Sequence, residues 1–205
     1  MTSGNPQEVS DLFAAYPDPT EAELRRLRDR LAASADAQGI LDVAYRTLDT
    51  PVGTLLLAAT ETGLVRVAYE TEGHDKVLAT LAARVSPRIL HAPKRLDAAA
   101  REIDEYFAGL RHGFDLPLDF SLSKGFRRTV LDHLSDIAYG HTASYAAVAA
   151  AAGHPRAVRA VGTACATNPL PVVVPCHRVV RSDGSVGGYA GGPAAKQALL
   201  RLEAA

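Results

Sequence analysis

The spacing of apolar residues changes period partway along this 205-residue chain, and that change restricts what it can fold into. Between residues 43 and 69 the chain reads in short alternating runs. Val43, Tyr45 and Thr47 make one; Thr54 to Ala59 and Leu64 to Tyr69 make two more. Pro51-Val52-Gly53 and Thr62-Gly63 separate them as turns. Side chains that alternate with period two predict strands, and short turns between them predict an antiparallel sheet. From Ser123 onward the texture is helical, with Phe126, Val130, Leu134 and Ile137 on one stripe and Gly140 as its stop. The length suits one large domain or two modest ones, each able to bury a core.

Other elements fit around this switch. Residues 1–19 contain Gly4, Pro6, Pro17 and Pro19 and read as a loose lead-in. Thr20, with Glu23 three residues on, predicts a capping box and a helix that ends between Ser34 and Gly39. Its Leu24, Leu27 and Leu31 predict a packed stripe. Val77, Leu78 and Leu81 fit a helix, and Leu96, Ile103, Tyr106 and Phe107 fit another over about 96–110. Arg111 to Leu122 reads as a linker. Ser144 can cap a helix over Tyr145–Ala152, and Pro155 suits the first turn of another reaching Ala166. Joined by Gly153-His154-Pro155, the two are a helix-turn-helix candidate, although alanine-rich helical hairpins occur in many proteins. Asn168-Pro-Leu-Pro-Val-Val-Val-Pro-Cys-His-Arg-Val-Val180 cannot sustain a helix, and its valines predict a buried extended piece delivering Pro175-Cys176-His177 to one place. Five glycines between Gly184 and Gly192 surround Tyr189, and Pro193 starts a last helix with Ala195, Leu199, Leu202 and, near its end, Glu203.

Composition is that of a soluble globular protein: 47% hydrophobic and 22% charged, with a net charge of -1. That balance argues against a polybasic coat for nucleic acid or membrane. The charge is unevenly placed. Residues 1–120 hold 13 basic against 19 acidic side chains, and residues 121–205 hold 9 against 4. Such a split arises by chance in many proteins, or else gives the second half a face for a polyanion. The polar N-terminus has no secretory core, and no apolar run approaches a membrane span, so a cytoplasmic location with reduced thiols is the expectation. Cys165 and Cys176 are too few for a cysteine-rich zinc site.

Cys176 is the first candidate for chemistry. A lone cysteine is most often structural; flanking by Pro175 and by His177-Arg178 weighs against that here. A nucleophilic thiol needs a base and a group to orient the base. His177 can serve as the base, directly or through water, and Glu203 can hold the other ring nitrogen if the last helix folds back. Taken singly, His177 is as well read as a core histidine and Glu203 as a solvated one. Arg159, among Ala157, Val158, Ala160 and Val161, is either a surface arginine with a snorkelling stem or a cation on a slim helix suited to a DNA groove, where Gly162 would allow close approach. Tyr145 either packs in the core or carries a hydroxyl toward a bound base. Cys165 follows the apolar pattern and reads as packing.

Together these residues resemble the O6-alkylguanine-DNA alkyltransferases, also called methylated-DNA–protein-cysteine methyltransferases. The string Pro175-Cys-His-Arg-Val179 is similar to that family's active-site motif. Ser144-Tyr145, Arg159-Ala-Val-Gly162 and Asn168-Pro169 precede it, and Gly187-Gly-Tyr-Ala-Gly-Gly192, Lys196, Leu199-Leu200 and Glu203 follow. The likeness covers about 123–205 and extends to about 42–120, where Arg46-Thr-Leu-Asp-Thr-Pro-Val-Gly53 resembles the family's first domain. It implies an extension over 1–40 with one helix, an α/β ribonuclease-H-like domain over 41–120, and a mainly helical, winged-helix-like domain with a helix-turn-helix over 121–205. It implies single-turnover DNA repair, moving the alkyl group of O6-alkylguanine to the protein's own cysteine, with O4-alkylthymine a second substrate to consider. No cofactor and no metal are implied, since the two zinc-ligand cysteines of some relatives are absent. The implied partner is double-stranded DNA, gripped in the minor groove with the guanine flipped out; no membrane is involved and a monomer is expected.

The resemblance also carries roles onto matching positions. Cys176 would accept the alkyl group, with His177 and Glu203 as a relay through water. Asn168 would brace the recognition helix against the active-site strand. Tyr145 would assist charge on the leaving guanine, Arg159 would fill the space of the extruded base, and Tyr189 would line the pocket. Ala160, Gly162, Arg178 and Val179 complete the DNA- and substrate-contacting set. The chain departs from the family at Leu131, where many relatives have tryptophan, and at Ala190, where some have serine. Alkyltransferase-like lesion binders lack the cysteine that Cys176 supplies. A regulator fusion would need a further domain with no counterpart here, and a cysteine hydrolase gives no reason for the Arg159 helix.

Overall fold

The computed structural model describes residues 18–204; the lead-in over 1–17 lies outside them. The first helix, α1 (Glu21–Ala37), starts as its capping box requires: Glu23 N–H donates to Thr20 Oγ1 at 3.3 Å and Thr20 N–H to Glu23 Oε2 at 2.8 Å. Its leucine stripe does not pack. Leu27 and Leu31 are 54% and 56% exposed, and the buried residues are Ala32 and Ala35. The helix buries its C-terminal half against the body at Ala32 and Ala35, on the neighbouring stripe, where small side chains permit close approach. An Asp36–Arg95 ion pair and Arg95 Nη1 donating to Leu41 O at 3.0 Å secure it there.

Three expected strands form: β1 (Val43–Leu48), β2 (Leu55–Ala59) and β3 (Leu64–Tyr69), antiparallel in sequence. A fourth, β4 (Ile89–His91), was not legible as a strand; it runs parallel to β1, giving the order β3-β2-β1-β4. Between β3 and β4 lies α2 (His74–Arg84). The sheet is buried on both faces. Leu55, Leu57, Val67 and Tyr69 point into the large core shared with the rest of the chain; Leu56, Ala58, Val65 and Ala68 point to Val77 and Leu81 of α2. Each fully buried leucine contributes about 2 kcal/mol. The next helix, α3 (Asp97–Phe107), begins after a 3-10 turn over Pro93–Leu96 and buries Ile103 and Tyr106 in the large core.

Residues 111–122 are not a free linker. Leu64 N–H donates to Pro117 O at 2.8 Å and Asp119 N–H to Leu64 O at 2.9 Å, so the segment runs along the β3 edge and satisfies it. Gly63, at φ +146°, permits the approach: a Cβ there would lie 2.2 Å from Pro117 O.

The second half is mainly helical. Helix α4 (Phe126–Leu134) ends earlier than its apolar stripe suggested; Ile137 follows in a turn, partly buried, and its carbonyl is free to accept from Arg178 Nη1 at 2.5 Å. Gly140 therefore does not stop that helix. At φ +73° it lets the end of the last helix come close, where a Cβ would lie 2.9 Å from Glu203 O. Helix α5 (Tyr145–Ala151) is capped by Ser144 Oγ, which accepts from Ala147 N–H at 3.1 Å. The second helix of the pair, α6 (Val158–Ala166), starts later than expected: Pro155 sits in a turn closed by Ala157 N–H to His154 O at 2.8 Å. Two short parallel strands, β5 (Ala143–Ser144) and β6 (Val179–Val180), flank the pair, and α7 (Gly192–Glu203) ends the described chain. The architecture is an α/β domain joined to a mainly helical one through a common core.

Gly63→Ala is expected to lower the unfolding free energy by about 2 kcal/mol or more, because the obstructing atom is backbone and the φ is closed to alanine. Urea unfolding followed by circular dichroism measures this.

Candidate active site

The valine run is a tight turn, not the extended piece its composition suggested. Pro171 to Val173 turn, Val174 N–H donates to Leu170 O at 2.8 Å, and Val172 sits at φ +73°, a conformation that costs a β-branched residue energy. Asn168, 2% exposed, enforces the turn. Its Oδ1 accepts from Leu170 N–H at 2.9 Å, which fixes the amide's orientation, and its Nδ2 donates to Val174 O at 2.9 Å and to Cys176 Sγ at 3.1 Å. Asn168 thus braces the end of α6 against a turn rather than against a strand.

The turn delivers Cys176, His177 and Arg178 as one 3-10 turn, all buried. Helix α7 folds back as the Glu203 reading required. His177 Nε2 lies 2.8 Å from Glu203 Oε1, and Arg178 donates to the same carboxylate through Nε at 2.8 Å and Nη2 at 3.0 Å. Tyr106 of α3 donates to Oε1 at 2.6 Å, and Gly140 N–H reaches Oε2 at 3.4 Å. Burial alone would raise the Glu203 pKa; His177, Arg178 and Tyr106 overcome that and hold it at about 2. Burial lowers the His177 pKa, against the pull of Glu203. A neutral His177 then donates Nε2–H to Glu203, which leaves Nδ1 as an acceptor. That Nδ1 is buried and has no hydrogen-bond partner among the described residues, Cys176 Sγ included.

Cys176 itself is 1% exposed, and burial pushes its thiol up to about 11. The Asn168 amide and the charge of Lys196 work the other way. Lys196, fully buried on α7, donates Nζ to Val179 O at 2.5 Å. Cys165 is also buried, its thiol pushed up to about 12, in keeping with packing. Tyr145 and Tyr189 lie near enough to Cys176 that a sulfur charge would raise the pKa of both phenols, which burial raises first. The Tyr145 hydroxyl rests against Gly187, where a Cβ would come within 2.3 Å of it. Tyr189 is bonded through its hydroxyl to that of Tyr69 on β3 at 3.0 Å, and its ring meets His177 edge-on at 6.3 Å.

Arg159 and Ala160 are exposed on α6, together with Val158, and a Cβ at Gly162 would meet nothing within 4 Å. Arg178 and Val179, expected in the DNA- and substrate-contacting set, are both buried beside Cys176: the arginine faces inward to Glu203, and the Val179 carbonyl accepts from Lys196. Sequence reasoning passed over Tyr106, read only as an apolar helix position, and gave Lys196 no role. A cavity of about 380 Å³ opens among Arg66, Lys76, Arg84, Arg127 and Asn168, and Cys176 does not line it.

Two family models match the chain: the ribonuclease-like domain of 6-O-methylguanine DNA methyltransferase over residues 43–120, and the DNA-binding domain of the same family over 125–205. The methylated-DNA–protein-cysteine methyltransferase of Methanosarcina barkeri is 36% identical over 159 residues, which span 78% of this chain and 96% of that protein. The crystal structure of Mycobacterium tuberculosis O6-methylguanine methyltransferase superposes with a TM-score of 0.70 at 36% identity, over 79% of this chain and 93% of that one. A structure of the M. tuberculosis protein in complex with DNA superposes at 0.68, over 78% and 92%. The chain belongs to the 6-O-methylguanine DNA methyltransferase family: it is a DNA-binding repair protein that moves an alkyl group from alkylated guanine to a cysteine of its own, once and irreversibly.

Proposed function

We propose that Cys176 is the alkyl acceptor and that His177 and Glu203 deprotonate it. The observation that carries this reading is the placement of Sγ 3.1 Å from the Asn168 amide, next in sequence to a histidine whose far nitrogen is held by a buried carboxylate. At rest the sulfur is a thiol and His177 is neutral. The thiol proton passes to His177 Nδ1 by way of a water, because Nδ1 bonds directly to no group among the described residues. The imidazolium so formed is stabilised by Glu203, and the thiolate by Asn168 Nδ2–H and the Lys196 charge. Sγ then forms a bond to the alkyl carbon as the carbon–O6 bond breaks, and its electron pair leaves with guanine. Tyr145 is the proton donor near the departing purine. The product thioether has no ready hydrolysis route, so each molecule reacts once.

DNA lies along the exposed face of α6, on the minor-groove side, with the target base extruded because chemistry inside the stack is inaccessible. Small side chains and Gly162 let that face approach closely, and Arg159 occupies the space the base vacates. Tyr189 lines the pocket. With Cys176 1% exposed, the glycine-rich segment bearing Tyr189 must yield for a purine to enter. The protein acts as a monomer, in the reducing cytoplasm that two free thiols suit.

Incubation with an O6-methylguanine oligonucleotide is expected to add one methyl group per molecule, on the peptide containing Cys176, as read by intact and peptide mass. A methyl on Cys165, or continued turnover, would overturn the reading. Cys176→Ala is expected to abolish transfer while duplex binding, measured by fluorescence anisotropy, stays within about twofold. Arg159→Ala is expected to slow transfer from duplex DNA about tenfold or more, as extrusion costs a few kcal/mol, and to leave reaction with the free alkylated base nearly unchanged. Equal losses on both substrates would remove the role given to that arginine.

A further inference from the structure

Every group of the proposed relay comes from the second half of the chain except one. Tyr106 sits on α3 in the first half, fully buried, and its hydroxyl donates to Glu203 Oε1 at 2.6 Å, the shortest bond that carboxylate makes. Its ring already packs on Phe107 and Phe114 at 5.3 Å and on Tyr139 at 6.2 Å, work that phenylalanine would do equally well. The hydroxyl needs another explanation. Oε1 is shared by three donors: Tyr106, His177 Nε2 and Arg178 Nη2. Donors on one oxygen compete, since each withdraws charge that the others would use.

We propose that Tyr106 is a positioning residue for alkyl transfer, its hydroxyl holding Glu203 Oε1 in place and making it a weaker partner for His177, so that the imidazole is neutral and able to take a proton when substrate arrives. The inference rests on the Cys176–His177–Glu203 reading above. Burial, and then Glu203 itself, keep the Tyr106 hydroxyl from ionising, so it is a donor at every working pH. The direction of the effect follows. Without this donor, Glu203 binds the His177 ring proton more strongly, the His177 pKa rises, and less neutral base is present on the acidic side.

Other charged or titratable groups around the pair are accounted for. Arg178 shares both carboxylate oxygens. Lys196 on α7 and Cys176 flank the histidine, with Tyr189 edge-on to it. Tyr139 bonds to Leu202 O at 3.2 Å and stacks on His112 at 4.1 Å. Because His112 is a second imidazole close to this cluster, His177 must be followed by its own ring resonances.

The test uses the full chain with Tyr106→Phe. Single-turnover transfer to an O6-methylguanine oligonucleotide is measured from about pH 5.5 to 8.5, with nitrogen NMR of the His177 ring in the free protein. The acid limb is expected to move to higher pH, slowing transfer about threefold on the acidic side and little at the alkaline end, while the His177 titration moves the same way. A 3-fluorotyrosine placed at position 106 alone, a stronger donor of nearly the same shape, is expected to move both in the opposite direction. Unmoved profiles and resonances in these proteins would overturn the proposal, as would a uniform loss at every pH, which is what poorer packing gives. Failure of the wild-type protein to be methylated at Cys176 would instead sink the underlying reading.

Discussion

A carboxylate taken out of water must be surrounded by donors or it will not stay charged. Glu203 meets that demand with His177, Arg178, Tyr106 and the Gly140 amide, and the positions of these four groups account for much of the architecture around them. Arg178 is buried because Glu203 neutralises it, and its remaining reach ends on Ile137 O, exposed by the early end of α4. Gly140 has no side chain because α7 ends against it. Tyr106 carries the first half of the chain into the same cluster. The α/β domain is therefore more than a companion to the helical one: Tyr106 on α3 and Tyr69 on β3 both end on groups beside Cys176.

A second constraint acts one turn earlier. Asn168 uses its oxygen and its amide nitrogen to bind three backbone or sulfur atoms within eight residues, which compresses the chain enough to leave Val172 in a conformation valine avoids. Strain of this kind persists only where surrounding contacts over-determine it. Val67 N–H donating to Pro169 O at 2.8 Å and Arg66 donating to the same carbonyl at 3.2 Å supply part of that restraint from β3.

Much of this was legible in the sequence, for identifiable reasons. Strands β1 to β3 and the helices with clear stripes follow from period alone, and the Thr20 capping box from four residues. The Cys176-His177-Glu203 cluster was legible through its resemblance to a family, not through spacing, since 26 residues separate His177 from Glu203 and nothing local reports that α7 folds back. The misreadings share a cause. The Leu27–Leu31 stripe, the valine run and residues 111–122 were each judged by their own composition, whereas alanine contacts, the Asn168 clamp and the edge of β3 decided them. Tyr106 was hidden because a tyrosine on an apolar stripe looks like any core ring until its hydroxyl's partner, 97 residues away, is known.

The depth of Cys176 bears on how long a single-use reagent survives. A thiolate at the surface would meet oxidants and stray electrophiles long before it met a lesion, and for a molecule with one reaction to give, any such encounter is terminal. A sulfur that is 1% exposed, its thiol pushed up to about 11 by burial, is shielded from such encounters. The proposed acceptor is in that sense stored rather than displayed, and its working lifetime is governed by how rarely the site opens without damaged DNA in hand.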